Sequence, residues 1–258
     1  MPVYTVPCVK GNRERHRCTR GNEVYARDAY LYDKVYSFKN YEEEAAYLLK
    51  IARQNCDADE IVWLDVACGT GAHIKYLKKQ VSIEGLDRSK SMLEIAREKN
   101  IGTKFHRKNM VRFKLGKKYN VITVLYGSIG YVKTLSNLNR TMATMNDHLL
   151  QGGLLIVDPW LTPDKWVTGS VHSLLIDEEK FKLARISTSQ AKGKVSYFDL
   201  HYLIGDSEET RHIVERHELG LFTRNEMNRS FRSNGFDVDF EEFGLMGRGL
   251  YVGKKAGG

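Results

Sequence analysis

Five short apolar runs between residues 61 and 158 constrain the fold more than any other feature of this sequence. They are rich in β-branched, leucine and aromatic residues and show no strict alternation, which is typical of parallel strands buried on both faces. Helical stretches separate most of them, and this order predicts a parallel sheet with helices on both sides. The runs are Ile61–Val66, Val81–Asp87, Thr103–Arg107, Tyr119–Tyr126 and Leu154–Asp158.

Helices are predicted around these strands from capping residues and apolar spacing. Asn40 and Ser89 are the expected N-caps, and the pair Gly152–Gly153 is expected to end the last of these helices. The predicted helices cover Asn40–Gln54, the residues between Gly71 and Gln80, a segment after Ser89, and the residues from about Leu135 to Gly152.

After Pro159 the apolar residues recur with a period of two, as in Val195–Ile204. This alternation is typical of antiparallel strands with one solvated face, so we predict a small antiparallel β insertion over residues 161–222 of an α/β chain. Its other extended segments are Ser170–Ile176, Lys180–Thr188 and His212–Phe222. The core, residues 30–160, resumes over residues 223–258 with a helix capped by Thr223 and Glu226 and the strands Phe236–Phe243 and Gly249–Gly253.

The chain of 258 residues carries 40 lysines and arginines against 32 acidic residues, a formal net charge of +8. This excess favours an anionic partner but does not choose between nucleic acid and a phosphorylated metabolite. Part of it lies between Lys10 and Arg20, in an N-terminal arm that we assign to residues 1–29. We favour a solvated arm over an arm that binds nucleic acid.

The sequence predicts neither a membrane segment nor a metal site. The longest apolar run, Val121 to Val132, is too short to cross a bilayer, and the N-terminus lacks a secretory pattern. No CxxC or HxxH pair occurs, so we expect reduced thiols, a cytoplasmic location and no bound metal. His212 and His217 are expected on opposite sides of one strand, as structural or surface groups. The four cysteines are Cys8, Cys18, Cys56 and Cys68.

The turn after the first strand reads Asp65-Val66-Ala67-Cys68-Gly69-Thr70-Gly71. Small residues at a strand–helix junction let the backbone approach a ligand, and the helix N-terminus offers free N–H groups. Asp87 ends the second strand, where a carboxylate would accept hydrogen bonds from ribose hydroxyls. The pair of features predicts a cofactor that contains a nucleoside, and the alternative is a tight turn without a ligand. A dinucleotide is disfavoured because the third glycine of G-x-G-x-x-G is missing.

This D-x-A-x-G-x-G pattern resembles motif I of the class I S-adenosylmethionine-dependent methyltransferases. From about Tyr30 onward the chain is similar to the N,N-dimethyltransferases that act on dTDP-linked amino sugars. The resemblance implies a Rossmann-like class I methyltransferase sheet and N-methylation of a small amine, most of all a nucleotide-linked amino sugar. The matching stretches are LYDKVY (Leu31–Tyr36), LDVACGTGAH (Leu64–His73), GLDRSKSMLEIAR (Gly85–Arg97), KNMVRF (Lys108–Phe113), GSIGYVKT (Gly127–Thr134), GGLLIVDPW (Gly152–Trp160) and GRGLYVG (Gly247–Gly253).

The resemblance implies how S-adenosylmethionine would be held. Asp65 and the backbone of Gly69–Gly71 would bind the methionine end, Asp87 the ribose, and Asn109 and Met110 the adenine. Asp87 replaces a family glutamate and Asn109 a family aspartate, and both keep an oxygen that accepts hydrogen bonds. Met110 could instead belong to the core. The implied cofactor-binding residues are Asp65, Ala67, Cys68, Gly69, Gly71, Asp87, Arg88, Asn109, Met110 and Tyr126.

On the acceptor side, the resemblance implies Tyr36 and Tyr131 as catalytic residues and Trp160 and Arg248 as substrate-binding residues. Tyr131 replaces a family histidine near the amine, and a neutral phenol would align the nitrogen because it is a poor base. Arg248 would pair with a diphosphate. The alternatives are a surface lid aromatic for Tyr36, an exposed loop residue for Tyr131, sheet-edge packing for Trp160 and a surface position for Arg248.

Three other functions stay open. The charge allows an RNA methyltransferase, although Leu125–Ile129 lacks the (D/N)PP(Y/F) motif of enzymes that methylate base amino groups. The acceptor could be a free amine such as glycine or sarcosine. A protein that binds S-adenosylmethionine without catalysis is the alternative outside the enzymes. The expected substrate is a small anionic molecule, nucleic acid is not favoured, and a homodimer is compatible with the sequence.

Overall fold

The computed structural model of the chain describes residues 31–56 and 58–257. The predicted basic arm, with Cys8 and Cys18, lies outside the described residues. Among the helices that are described, none has the length and apolar character needed to cross a membrane.

A seven-stranded sheet forms the centre, in the order β10-β11-β5-β4-β1-β2-β3. Strands β1 to β5 are parallel where they pair, and β11 runs antiparallel to both β5 and β10. The strands are β1 Val62–Val66, β2 Ser82–Asp87, β3 Phe105–Arg107, β4 Tyr119–Val124, β5 Leu149–Val157, β10 Phe236–Glu241 and β11 Leu250–Lys255. The predicted parallel α/β sheet is confirmed.

Successive residues of each central strand enter opposite hydrophobic cores. Leu64 faces a core shared with α4 and α5, whereas Trp63 faces a core shared with α1 and α2. The helices are α1 Tyr41–Asn55, α2 Ile74–Leu77, α3 Lys90–Lys99, α4 Leu135–His148 and α5 Arg224–Ser233. The predicted caps Asn40 and Ser89 and the capping box of Thr223 and Glu226 are confirmed.

A second sheet of four antiparallel strands follows β5, in the order β6-β7-β8-β9. Its strands are β6 Val171–Glu178, β7 Phe181–Lys192, β8 Val195–Asp206 and β9 Thr210–Gly220. The helical residues 31–35 pack onto this sheet, where Leu31 and Val35 join a buried cluster with Leu183 and Ile204. This packing places Tyr36, the next residue, between the two sheets.

Three predicted boundaries are wrong for local reasons. The helix predicted to reach Gln80 is only the short α2, within a stretch of turns. The helix predicted to reach Gly152 ends at His148, because the following residues already pair with β4 before a register shift. Strand β4 ends at Val124 rather than Tyr126, whose φ of 56° is incompatible with an extended strand.

Candidate active site

The turn from Ala67 to Gly71 lies at the carboxyl ends of β1 and β2, the edge where open parallel sheets bind ligands. Ala67, Gly69 and Gly71 all have a positive φ. At Gly71 a side chain is excluded, because its Cβ would come within 2.7 Å of the Asn100 amide nitrogen that donates to the Gly71 carbonyl. Nothing lies within 4 Å of the corresponding position at Gly69. The turn is therefore closely packed against Asn100 at Gly71 and accessible at Gly69, as the binding of a cofactor would require.

Asp65 is buried at the end of β1, where its Oδ1 accepts a hydrogen bond of 2.8 Å from Thr123 Oγ1. Thr123 Oγ1 in turn accepts from the Trp63 indole at 3.0 Å. Burial raises the pKa of Asp65 to about 6. A carboxylate held dry in this way gains most from a bound cation, such as the ammonium of a methionine moiety.

Replacing Asp65 with asparagine should stabilise the ligand-free protein by about 1–2 kcal/mol at pH 8. Because the folded-state pKa lies above the unfolded value of about 3.9, ionisation costs stability as pH rises from about 4 to 6, and the cost is complete above pH 6. Asparagine removes the ionisation but keeps an acceptor for Thr123. Urea unfolding at pH 8 and pH 5 measures both proteins, and a difference that does not shrink at pH 5 would contradict the assignment.

Asp87 ends β2 and connects the turn after β1 to the turn after β2 through hydrogen bonds. Its Oδ2 accepts the Gly69 N–H at 3.0 Å and its Oδ1 accepts the Ser89 N–H at 2.8 Å. A carboxylate offers about four acceptor positions, so these backbone bonds and the one from the Arg88 N–H leave room for a ribose hydroxyl. Arg88 follows it at the surface, where its carbonyl accepts from Arg107. Cys68 pairs its N–H with the Leu86 carbonyl, and burial raises the pKa of its thiol, which disfavours a nucleophilic role.

The predicted adenine residues lie after β3. Asn109 is exposed, and its Oδ1 accepts the Val111 N–H at 2.9 Å within its own turn. Met110 is half-buried and packs against the core that holds α4. Their roles toward adenine stay predictions.

Polar contacts hold residues 31–39 against the Ala67–Gly71 turn and its neighbours, and the sequence did not predict these contacts. Asp33 accepts from Thr70 Oγ1 at 2.9 Å and pairs with Lys99. Lys39 pairs with Glu44 at 3.2 Å and lies 3.9 Å from the centroid of the Tyr126 ring. The stretch LYDKVY contains Asp33 and LDVACGTGAH contains Thr70, whereas nothing in the sequence signalled the contacts of Lys39. These contacts place residues 31–39 beside the turn that is predicted to bind the cofactor.

Phenol side chains from separate segments meet above the sheet edge. The ring of Tyr36 lies 4.5 Å from that of Tyr32 and 5.2 Å from that of Tyr126. Tyr131, on the 3-10 helix Ser128–Val132, is close enough to influence the pKa of Tyr32. Burial raises the pKa of Tyr36, and the ordinary tyrosine pKa of about 10 already keeps Tyr131 protonated at neutral pH. Tyr36 also acts electrostatically on Tyr131, so the two residues that the sequence predicted as catalytic influence each other in this site.

Tyr131 also contacts His217 of β9, which in turn pairs with Glu215, and the sequence assigned neither residue a role in the site. Its hydroxyl lies 2.7 Å from His217 Nδ1, and His217 Nε2 lies 3.3 Å from Glu215 Oε2. His212, on the same strand, is exposed, as predicted for opposite faces. No local pattern signals this contact, because it depends on how the second sheet docks onto the first.

Trp160 follows β5 and packs against the second sheet. Its indole N–H donates to Ser196 Oγ at 3.1 Å, and its ring stacks on Phe198 with a centroid distance of 6.1 Å. Trp160 lines a cavity of about 240 Å³ together with Arg248. The described lining of this cavity includes three cationic, two acidic and four aromatic side chains.

Arg248 is not a surface residue. Its Nη2 donates to the buried Asp158 Oδ2 at 3.0 Å, and its guanidinium lies beside the rings of Tyr126 and Trp160. The neighbouring Gly249 has a φ of 85°, and a Cβ there would come within 2.0 Å of the Phe240 ring. This explains why the arginine is followed by glycine. That Arg248 pairs with a diphosphate stays a prediction. The diphosphate would have to bind the guanidinium N–H groups that do not donate to Asp158.

Comparison with known proteins agrees with this geometry. A family profile for a methyltransferase domain matches residues 64–153. The dTDP-3-amino-3,6-dideoxy-alpha-D-glucopyranose N,N-dimethyltransferase of Streptomyces fradiae is 34% identical over 229 residues, which are 87% of this chain and 89% of that protein. The dTDP-3-amino-3,4,6-trideoxy-alpha-D-glucopyranose N,N-dimethyltransferase of Streptomyces venezuelae is 32% identical, over 88% and 97% of the two chains.

Solved structures give the same result. The S-adenosylmethionine-bound amino pentose methyltransferase CalS10 of Micromonospora echinaspora superposes with a TM-score of 0.80 at 31% identity, over 88% of this chain and 97% of that one. DesVI of Streptomyces venezuelae superposes with a TM-score of 0.83 at 31% identity, over 90% and 98%. The chain therefore belongs to the family of the dTDP-amino-sugar N,N-dimethyltransferases, and it is an S-adenosylmethionine-dependent methyltransferase of the class I fold.

Proposed function

We propose that this enzyme methylates the amino nitrogen of a sugar linked to a nucleoside diphosphate. The observation that carries the proposal is the contact of Tyr36 with Tyr126, within electrostatic reach of Tyr131, which also interacts with Asp87 of the turn. Uncharged phenols can orient an amine through hydrogen bonds without competing for the methyl group. The nearby cavity, with Trp160 and Arg248 in its wall, is the proposed place for the rest of the acceptor.

The residues around the turn fit S-adenosylmethionine. The space above Gly69 admits a ligand, and the buried Asp65 carboxylate suits its cationic methionine end. When bound, the cofactor supplies a methyl group that its sulfonium has already activated. The chain then has to place the amine in line with that methyl group, exclude water and keep the nitrogen unprotonated. Tyr36 and Tyr131 are the proposed positioning groups for the nitrogen.

A methyl-transfer assay tests the proposal. Labelled S-adenosylmethionine is incubated with a dTDP-amino sugar, the corresponding dTDP-sugar with a hydroxyl at that position, the free amino sugar, glycine and total RNA. We expect label only in the amino sugars, and more in the dTDP-linked one. Label in RNA or glycine alone would refute the proposal, and cofactor binding without label in any acceptor would indicate a protein without catalysis.

Replacing Tyr131 with phenylalanine should lower kcat/KM for the true acceptor about tenfold to a hundredfold, which corresponds to about 1.4–2.7 kcal/mol. The substitution keeps the ring and removes only the hydroxyl that would align the nitrogen. Affinity for S-adenosylhomocysteine should not change. Tyr197→Phe, on β8, is the matched control, and wild-type kcat/KM in Tyr131→Phe would remove Tyr131 from the site.

A further inference from the structure

His217 and Glu215 form a buried polar pair directly behind Tyr131. Both lie on β9 two residues apart, both are 6% exposed, and the ring of His217 stacks on Phe198 across the strand pair. A second phenol, Tyr202, donates to the same Glu215 oxygen at 3.3 Å. Burial of an acid and a base is costly unless they are paired, so this arrangement calls for a purpose beyond packing.

The hydrogen-bond pattern favours one assignment of the protons. A carboxylate only accepts hydrogen bonds, so we assign a proton to the His217 Nε2 that faces Glu215. In that tautomer Nδ1 accepts the hydroxyl proton of Tyr131, whose oxygen lies 2.7 Å away. The lone pairs of the Tyr131 oxygen are left to face a donor outside this pair. Tyr131 is 37% exposed, so such a donor can reach it.

We propose that Tyr131, His217 and Glu215 form a relay that removes the proton from the acceptor amine. This proposal rests on the proposed function. The ammonium gives its proton to the Tyr131 oxygen while the Tyr131 hydroxyl proton passes to His217 Nδ1. The amine is then neutral, Tyr131 is again a phenol, and the proton is held on an imidazolium that donates to Tyr131 and Glu215. His217 and Glu215 are positioning residues that act through Tyr131.

Such a relay would speed the removal of the proton from the amine at neutral pH. Alkyl ammonium groups have pKa values from about 7.7 for an α-amino group to about 10.4 for lysine, so much of the acceptor would arrive protonated. A first methyl transfer also leaves an ammonium, which must lose a proton before the nitrogen can accept a second methyl group. Tyr131 alone cannot hold the proton, because its hydroxyl oxygen already carries one at neutral pH. Histidine is the side chain suited to hold that proton.

Other charged groups surround the relay and enter its pH dependence. Glu215 lies beside Tyr202 of β8, and Tyr202 also interacts with Arg185 of β7. The groups that act on Tyr131 or His217 through space include Tyr36, Asp87, Arg88 and Asp199.

The test is the pH profile of kcat in His217→Gln, with His212→Gln on the exposed face of β9 as matched control. We expect His217→Gln to lose about tenfold to a hundredfold at pH 7 and to come within about threefold of wild type near pH 9.5, where solvent deprotonates the amine. Monomethylated product should accumulate at pH 7. The control should keep the wild-type profile and dimethyl product.

Two further variants separate the relay from a structural role. Glu215→Gln keeps the hydrogen bond but removes the charge, and it should shift the profile in the same direction. The double variant Tyr131→Phe/His217→Gln should lose no more than Tyr131→Phe, because both break one chain of transfers. Equal losses at every pH, additive losses, or a wild-type profile in His217→Gln would each overturn the relay. Absence of transfer by the wild-type enzyme would refute the proposed function instead.

Discussion

Replacing Asp87 with alanine should weaken the binding of S-adenosylmethionine about a hundredfold. Two hydrogen bonds from ribose hydroxyls to a carboxylate contribute about 2–4 kcal/mol together. The same carboxylate accepts the N–H groups of Gly69 and Ser89, so its removal also loosens the turn that is predicted to bind the cofactor. Isothermal calorimetry with S-adenosylmethionine and S-adenosylhomocysteine measures the change.

Two controls distinguish ribose binding from loosening of the turn. Glu94→Ala removes an exposed acid that pairs with Lys90 on α3, and its affinity should match wild type. The second control is an analogue of S-adenosylhomocysteine that lacks both ribose hydroxyls. The effect of Asp87→Ala on this analogue should fall below about tenfold. An undiminished effect would assign Asp87 to the turn rather than to the ribose, and equal affinity of mutant and wild type would remove it from the site.

The fold was predictable wherever local pattern and tertiary structure agree. Apolar runs such as Ile61–Val66 form the parallel strands, and the alternation in Val195–Ile204 forms a strand of the second sheet. The prediction failed at the ends of helices and strands, because the backbone conformation of one residue can decide where an element ends. Tyr126 shows this, since its positive φ ends β4 in the middle of an apolar run.

The meeting of the predicted cofactor residues at one sheet edge was predictable, although their roles stay predictions. Asp65 and Asp87 lie at the carboxyl ends of β1 and β2 and Gly69 follows β1, so their proximity follows from the βαβ order. The partner of Tyr131 could not be predicted, because β9 follows the 3-10 helix by some eighty residues and its register sets which residue faces inward. The sequence therefore predicted only a structural or surface role for His217.

The pairing of Arg248 with Asp158 could not be read from sequence either. It requires β11 to pair antiparallel with β5, so that residues 90 apart in sequence face each other. The sequence predicted that Arg248 binds a diphosphate. In the structure Arg248 already neutralises the carboxylate of Asp158, which is 0% exposed. One arginine would thus connect the stability of the fold with recognition of an anion.

Replacing Arg248 with methionine should destabilise the protein by about 3–5 kcal/mol at neutral pH, because it leaves Asp158 buried without its cation. Burial already raises the pKa of Asp158, against the opposing effect of Arg248. Without Arg248 that pKa rises further above the unfolded value of about 3.9, so a protonated Asp158 favours the folded state. The loss should therefore be largest at neutral pH and shrink as pH falls toward 4.

A double-mutant cycle tests whether the loss comes from the pair. Arg248→Met/Asp158→Asn should recover most of the stability of Arg248→Met in urea unfolding at pH 7.5, because the uncompensated charge is gone. Arg224→Met with Glu242→Gln is the matched control, since its side chains are 47% and 67% exposed and such pairs contribute about 0.2–1 kcal/mol. If Arg248→Met cost less than about 1 kcal/mol at pH 7.5, or if its loss did not change with pH, the guanidinium would be free to serve the acceptor alone.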